Sequence, residues 1–286
     1  MIISAVYDWI LIMAAGAWLL PHAIRFLDRH GRTECNYEGL KIPSSLGIFI
    51  WLLIGVQAMF LQMLSSTDSV LFKPLRSVET IYDVYLAAAT VVFVLGWLDD
   101  TIGAKTVKGF KGHWRYWREE NTFSMGAVKA LGTGAASIWA LNKCNPEGSS
   151  LWHMALQLLL LMLMTNALNL LDVRPGRACK AFLALALIPL VSGNRLEVVW
   201  LVMPVTLGGL LLFPGDVRGK LMLGDAGSNL LGFSLGFWLV LWSPFWLQLT
   251  ALFGCAVLHY IAETDSITGT IERHRLLNWM DRLGRV

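Results

Sequence analysis

The stretch LWHMALQLLLLMLMTNALNLLD, residues 151–172, decides the fold. Between Leu151 and Met164 only His153 and Gln157 interrupt an apolar run, and about 20 such residues carry a helix across a bilayer. The last turns change character. Asn166, Asn169 and Asp172 recur every three residues, which places them on one side of a helix. A spanning helix that ends this way delivers polar groups to one membrane face.

The same alternation runs outward in both directions. The chain has 286 residues, 56% hydrophobic and 15% charged. Soluble domains carry charge on about a quarter of their residues. Apolar runs near 4–24, 45–64, 82–98, 124–141, 151–171, 178–192, 196–213, 226–242 and 245–262 predict an all-α polytopic membrane bundle of about nine transmembrane helices. A tight turn at Ser192-Gly193-Asn194 separates the sixth and seventh runs. The polar connections are too short to fold alone, so residues 1–286 read as one transmembrane domain. The first run has no basic stretch before it and no small-residue cleavage site, and reads as a span rather than a signal peptide.

Lys and Arg placement sets the orientation. Eighteen of the 23 lie in residues 25–44, 99–123, 172–180, 214–225 and the C-terminal tail, all on one side of a nine-span topology. Four, Lys73, Arg76, Lys143 and Arg195, lie opposite, and Lys129 falls within the fourth span. The bias predicts an outer N-terminus and a cytoplasmic C-terminus. The fourth span is rich in Gly and Ala, which predicts a place inside the bundle. Cys35, Cys144, Cys179 and Cys255 are widely spaced with no CxxC, so neither a zinc site nor a disulfide framework is expected. The tail 271–285 reads as a short amphipathic helix, with Ile271, Leu276, Leu277, Trp279, Met280 and Leu283 toward lipid or the bundle.

Three polar clusters then fall at the same face. The third span ends in Asp99-Asp100, the fifth ends in Asn166, Asn169 and Asp172, and the eighth opens with Gly224-Asp225-Ala226-Gly227-Ser228. Carbonyls at helix C-termini favour cations, and adjacent carboxylates need one to offset their repulsion. A Gly-rich helix N-terminus offers N–H groups to an anion. Together they suit a divalent cation with a phosphate, and oxygen ligands beside phosphates suit magnesium. Taken singly, each cluster also has a plainer reading: a solvated helix end, interhelical hydrogen bonding, or a capped turn.

Gly96-Trp97-Leu98-Asp99-Asp100, Thr165 to Asp172, and Leu223 to Ser228 resemble, in that order, three signatures of the polytopic polyprenyl-phosphate N-acetylhexosamine-1-phosphate transferases. Asn36 to Pro43 resembles the first cytoplasmic loop of that family. The likeness covers about residues 30–275. It implies a magnesium-dependent reaction at the cytoplasmic side of the plasma membrane. There undecaprenyl phosphate or another polyprenyl phosphate attacks the β-phosphorus of a UDP-amino sugar and UMP leaves. It implies that Asp99 activates the acceptor phosphate and that Asp100 is its neighbour in the metal–phosphate site. By the same likeness Asp225, Asp100 and Asp172 hold the metal, and Asn166, Asn169 and Asp172 shape the nucleotide pocket. Lys111 and Lys129 contact phosphate. Family members often form homodimers, and no nucleic acid is expected as a partner.

Two departures qualify the resemblance. Where the family often continues Asp-Gly-Leu-Asp-Gly, this chain has Asp172-Val173-Arg174-Pro175-Gly176-Arg177: a carboxylate is lost, and Arg174 and Arg177 become candidates for binding substrate phosphate. The late loop has Glu272-Arg273-His274-Arg275, with His274 alone in place of a histidine cluster, which argues against a muramyl-pentapeptide donor. The customary tenth span is also expected to be absent. These departures motivate an alternative, a non-catalytic homologue that binds a lipid phosphate or a membrane partner. A transporter is disfavoured, because the charged groups sit at one face rather than at the midplane.

Overall fold

A computed structural model describes residues 2–66, 75–103, 117–119, 121–144, 150–192 and 197–285. The described chain is an all-α bundle: α1 (Ile2–Arg29), α2 (Gly47–Ser65), α3 (Leu75–Ile102), α4 (Met125–Cys144), α5 (Leu151–Leu171), α6 (Arg177–Leu185), α7 (Leu187–Ser192), α8 (Glu197–Asp216), α9 (Gly224–Trp242), α10 (Phe245–Thr264), α11 (Ile267–Arg273) and α12 (Arg275–Arg282). Among the described residues six segments are long and apolar enough to cross a membrane: Tyr7–Arg29, Gly47–Ser65, Val78–Ile102, Leu151–Leu171, Val198–Asp216 and Phe245–Thr264. Large apolar side chains such as Trp18, Met63, Leu131 and Phe253 stand exposed on the outside, as a lipid-facing surface requires.

Two more helices have the length but not the apolarity. Helix α4 has 20 residues and carries Lys129 and Lys143. Helix α9 has 19 and opens on Gly224-Asp225. Every residue of α9 from Ala226 to Val240 is buried, so α9 is the central helix, packed by α2, α3 and α5. The fourth span, expected inside, lies at the edge instead. Helix α4 buries Thr133, Ala136, Ser137 and Ala140 against its neighbours and exposes Leu131, Ile138 and Trp139. Its small residues make a stripe for one contact face rather than an all-round core.

The run expected at 178–192 is broken. It forms α6, of nine residues, and α7, of six, each well under a bilayer's thickness. Pro189 has no N–H to offer the carbonyl four residues back, which is where the first helix stops. The turn anticipated at Ser192-Gly193-Asn194 extends outside the described residues.

A small hairpin joins α1 to α2. Strands β1 (Thr33–Cys35) and β2 (Lys41–Pro43) pair antiparallel, with Glu34 opposite Ile42. Asn36 shapes the turn: its Oδ1 accepts from the Glu38 and Leu40 N–H groups at 2.9 Å, and Gly39 takes φ 76°. Asn36 Nδ2 also donates to the Gly219 carbonyl at 2.9 Å. Met222 N–H donates to the Pro43 carbonyl at 2.9 Å, and Leu46 N–H to the Met222 carbonyl at 3.2 Å. The hairpin thereby fixes where α9 begins.

Glycine brings the helices together there. A Cβ on Gly96 of α3 would stand 2.6 Å from the Asp225 carbonyl oxygen, and one on Gly47 of α2 would collide with the Ala226–Gly227 backbone. Only bare backbone lets α2 and α3 meet the first turn of α9 this closely.

Candidate active site

The end of the bundle defined by these contacts gathers residues from four helices. Asp99 sits in the last turn of α3, and Lys129 in the first turns of α4. Asn166 and Asn169 lie in the last turns of α5, and Asp225 lies in the first turn of α9. Lys129 Nζ donates to Asp99 Oδ2 at 2.7 Å and also to Asp225 Oδ2, so two carboxylates from different helices meet on one cation. The side chains of Lys129, Asp99 and Asp225 are 13%, 20% and 32% exposed, so the cluster is largely desolvated and open on one side. Like charges so placed repel unless a cation lies between them.

Around this centre the amides are aimed. Asn169 Nδ2 points to Asp225 Oδ2 at 3.4 Å, and its Oδ1 accepts from Ser228 Oγ at 2.9 Å. Asn229 Nδ2 donates to the Asp225 carbonyl at 2.6 Å. Asn166 Nδ2 meets His259 Nε2 at 2.9 Å, while His259 Nδ1 faces the Cys255 carbonyl at 2.7 Å. With Nδ1–H given to that carbonyl, Nε2 is the acceptor and the amide orientation of Asn166 is fixed. Asp172 caps α5, half-buried. Burial pushes its carboxyl well above the usual carboxylate range, and the charges of Asp216, Asp225 and Asp100 push the same way.

Asp100 plays a different part from the one expected. Its Oδ1 accepts from the Asp225 N–H at 2.8 Å, and its Oδ2 accepts from the Ala226 N–H at 3.1 Å and from Ser45 Oγ at 2.7 Å. The anion on the N-terminus of α9 is therefore the chain's own Asp100, which fastens α3 and the segment before α2 to α9. Among the described residues no group of three His, Cys, Asp or Glu is arranged to hold a metal. The expected ligand set Asp100, Asp172 and Asp225, together with Asp99, brings four carboxylates to this end, of which Asp99 and Asp225 converge on the Lys129 ammonium. Their all-oxygen donor set fits a hard ion such as magnesium.

The remaining candidates lie apart from this centre. Arg177, expected to bind phosphate, is bound instead to Asp281, with Nε to Oδ1 at 2.8 Å and Nη2 to Oδ2 at 3.1 Å, and its side chain is 6% exposed. A buried bidentate pair leaves that guanidinium little to offer a ligand. Arg174 is exposed and stands 3.6 Å from Glu272. His274 is an exposed residue between α11 and α12. Lys111 lies outside the described residues. Sequence reasoning missed Ser45, Asn229 and His259, and named Ser228 only within the Gly-rich start of the eighth run. For His259 a signal existed: it lies in the last turns of a spanning helix, at the same end as Asn166.

A family model described as glycosyl transferase family 4 matches residues 82–243, which is more than half of the chain and takes in most of α3 and all of α5 and α9. The chain belongs to glycosyl transferase family 4. Membership makes it a transferase of the polyprenyl-phosphate sugar-1-phosphate superfamily and agrees with its six apolar helices in a multi-pass membrane protein. No curated protein matches the chain. Asp99, Lys129, Asn166, Asn169, Asp172 and Asp225 fall inside the stretch this family 4 model matches, whereas His259, His274 and Asp281 fall outside it.

Proposed function

We propose that the protein transfers a sugar-1-phosphate, of the N-acetylhexosamine class, from a UDP-sugar to undecaprenyl or another polyprenyl phosphate at the cytoplasmic face of the plasma membrane. UMP is released, and the product starts a cell-envelope glycan. One observation carries this reading: in a family 4 chain, Asp99 and Asp225 converge on a single cation at one end of the bundle.

The reaction forms a bond between an acceptor phosphate oxygen and the donor's β-phosphorus. It breaks the bond from that phosphorus to the bridging oxygen, which leaves with UMP. Such transfers depend mostly on positioning and charge neutralisation. Asp99 orients the acceptor phosphate and takes its proton where one remains. Asp225 would hold magnesium, with Asp172 at the edge of the pocket, and the ion would neutralise the pyrophosphate. Lys129, already poised between the two carboxylates, exchanges one of them for a substrate phosphate. Asn169 and the His259-oriented Asn166 supply amide contacts for the nucleotide. Lys111 remains a proposed phosphate contact, carried by the family likeness alone. Basic residues in the connections at this end raise the local concentration of both anionic substrates.

The test is UMP release by purified protein with magnesium, undecaprenyl phosphate and a panel of UDP-amino sugars. Release with one donor is expected, and silence across the panel contradicts the proposal. A second reading, binding without chemistry, is favoured by one observation: Arg177, in the stretch after Asp172 where the family often carries another carboxylate, is already paired with Asp281 and offers a substrate phosphate little. It requires saturable lipid-phosphate binding with no UMP from any donor.

A further inference from the structure

Beyond α10 the chain presents a face that the bundle does not use. Helix α12 carries Leu276, Trp279 and Met280, with Leu283 just after it, and these are 67%, 61%, 49% and 54% exposed. Helical spacing puts them on one arc. The opposite arc is anchored. Asp281, its side chain 8% exposed, holds Arg177 as described above, and Arg285 reaches it through Nη1 at 2.9 Å and Nη2 at 2.8 Å. Lys180 Nζ donates to the Met280 and Asp281 carbonyls at 3.1 and 2.7 Å. Arg285 Nε donates to the Pro175 carbonyl at 2.8 Å, and Arg177 Nη1 to Thr268 Oγ1 at 3.2 Å. The helix is thus fixed with Asp281 inward and its apolar arc outward.

Charge says what covers that arc. Arg275 and Arg282 stand exposed at its two ends, and Arg218 is exposed one residue from Val217, which lies against Gly284. Three acids of the tail are engaged by arginines: Asp265 by Arg273, Glu272 by Arg174 and Asp281 by Arg177. An apolar arc rimmed by arginines, directly after a membrane-crossing helix, has the form of an interfacial helix.

We propose that α12 lies in the membrane–water interface and takes an anionic lipid surface as its ligand. Its ties to Pro175, Arg177 and Lys180 hold that seat in fixed relation to the turn that follows Asp172. A zwitterionic surface satisfies the apolar arc but leaves the arginines without counterions, so the seat requires acidic lipid.

The test places a nitroxide at Leu283→Cys and, in a second protein, at Leu276→Cys, with Cys35 and Cys144 replaced by Ser. Each full-length chain is reconstituted in phosphatidylcholine, with or without phosphatidylglycerol. With the acidic lipid, both labels are expected to become accessible to oxygen and shielded from a water-soluble nickel chelate. Arg275→Gln and Arg282→Gln should each lower the seated population about fivefold, the worth of one basic residue near an anionic surface. Equal chelate access in both lipids, equal immersion in both lipids, or spin–spin broadening from a second copy over the arc overturns the proposal. No readout involves turnover, so this result and the fate of the transferase reading are separable.

Discussion

At the scale of single residues, the centre of the molecule is a lysine shared by two aspartates. Lys129→Met leaves Asp99 and Asp225 facing each other with no cation between them. Removing one member of a buried ion pair costs about 3 kcal/mol. These side chains keep partial solvent access, so we expect a loss of about 2 kcal/mol, read as a lower melting temperature in detergent, with Lys129→Arg recovering part of it. Unchanged melting in Lys129→Met contradicts the bridge. Asp99, Asn166, Asn169, Asp172 and Asp225 were legible as a group because each ends or begins an apolar run on the same side. The role of Asp100 was not, because its partners are the N–H groups of residues 125 and 126 positions later, and no local pattern announces such a cap. Arg177 was misleading for the same reason. A guanidinium near a phosphate motif looks like a substrate ligand until its carboxylate partner, 104 residues on, is seen.

At the scale of elements, the close approach of α3 to α9 positions the carboxylates. Gly96→Leu puts a side chain into the Asp225–Ala226 backbone, which cannot yield as a flexible side chain does. Overpacking typically costs about 1–3 kcal/mol, and here it also moves Asp99 away from Asp225. We expect Gly96→Leu to fold less stably and lose activity, whereas Gly55→Ala, where a Cβ meets open space, should be silent. Equal behaviour of the two variants refutes the packing account. The tail makes a second prediction. Burial alone raises the Asp281 carboxyl, but hydrogen bonds from Arg177 and Arg285 outweigh this and hold it below its ordinary 3.8. A depressed carboxyl contributes stability above its unfolded value, and that contribution fades as pH falls through the lower folded one. Asp281→Asn should therefore cost about 2 kcal/mol at neutral pH, with the gap to the wild-type protein closing below about pH 4. A gap that stays constant with pH contradicts the ion-pair assignment. Long apolar helices were readable from hydropathy. The hairpin was not, since three-residue strands leave no periodic trace, and α4 lies at the edge rather than inside because small residues mark a close contact without saying how many sides it has.

At the scale of the whole molecule, the distribution of Lys and Arg predicts that the site end of the bundle faces the cytoplasm. Cys35, exposed in the hairpin at that end, reports on it directly. A membrane-impermeant maleimide should label Cys35 in inverted vesicles and not in intact cells, and labelling of intact cells reverses the topology. Family membership supplies the reaction class, and the proposed function places that reaction at the Asp99–Asp225 pair. The most direct measurement compares the wild-type protein with Asp99→Asn and Asp225→Asn for UMP release from the preferred UDP-amino sugar with magnesium and undecaprenyl phosphate. Removing one preorganised charge from such a site costs about a hundred- to a thousandfold in rate. The account predicts a fall of that size in both variants while each still folds, Lys129 keeping the other carboxylate, and undiminished UMP release in either variant contradicts it.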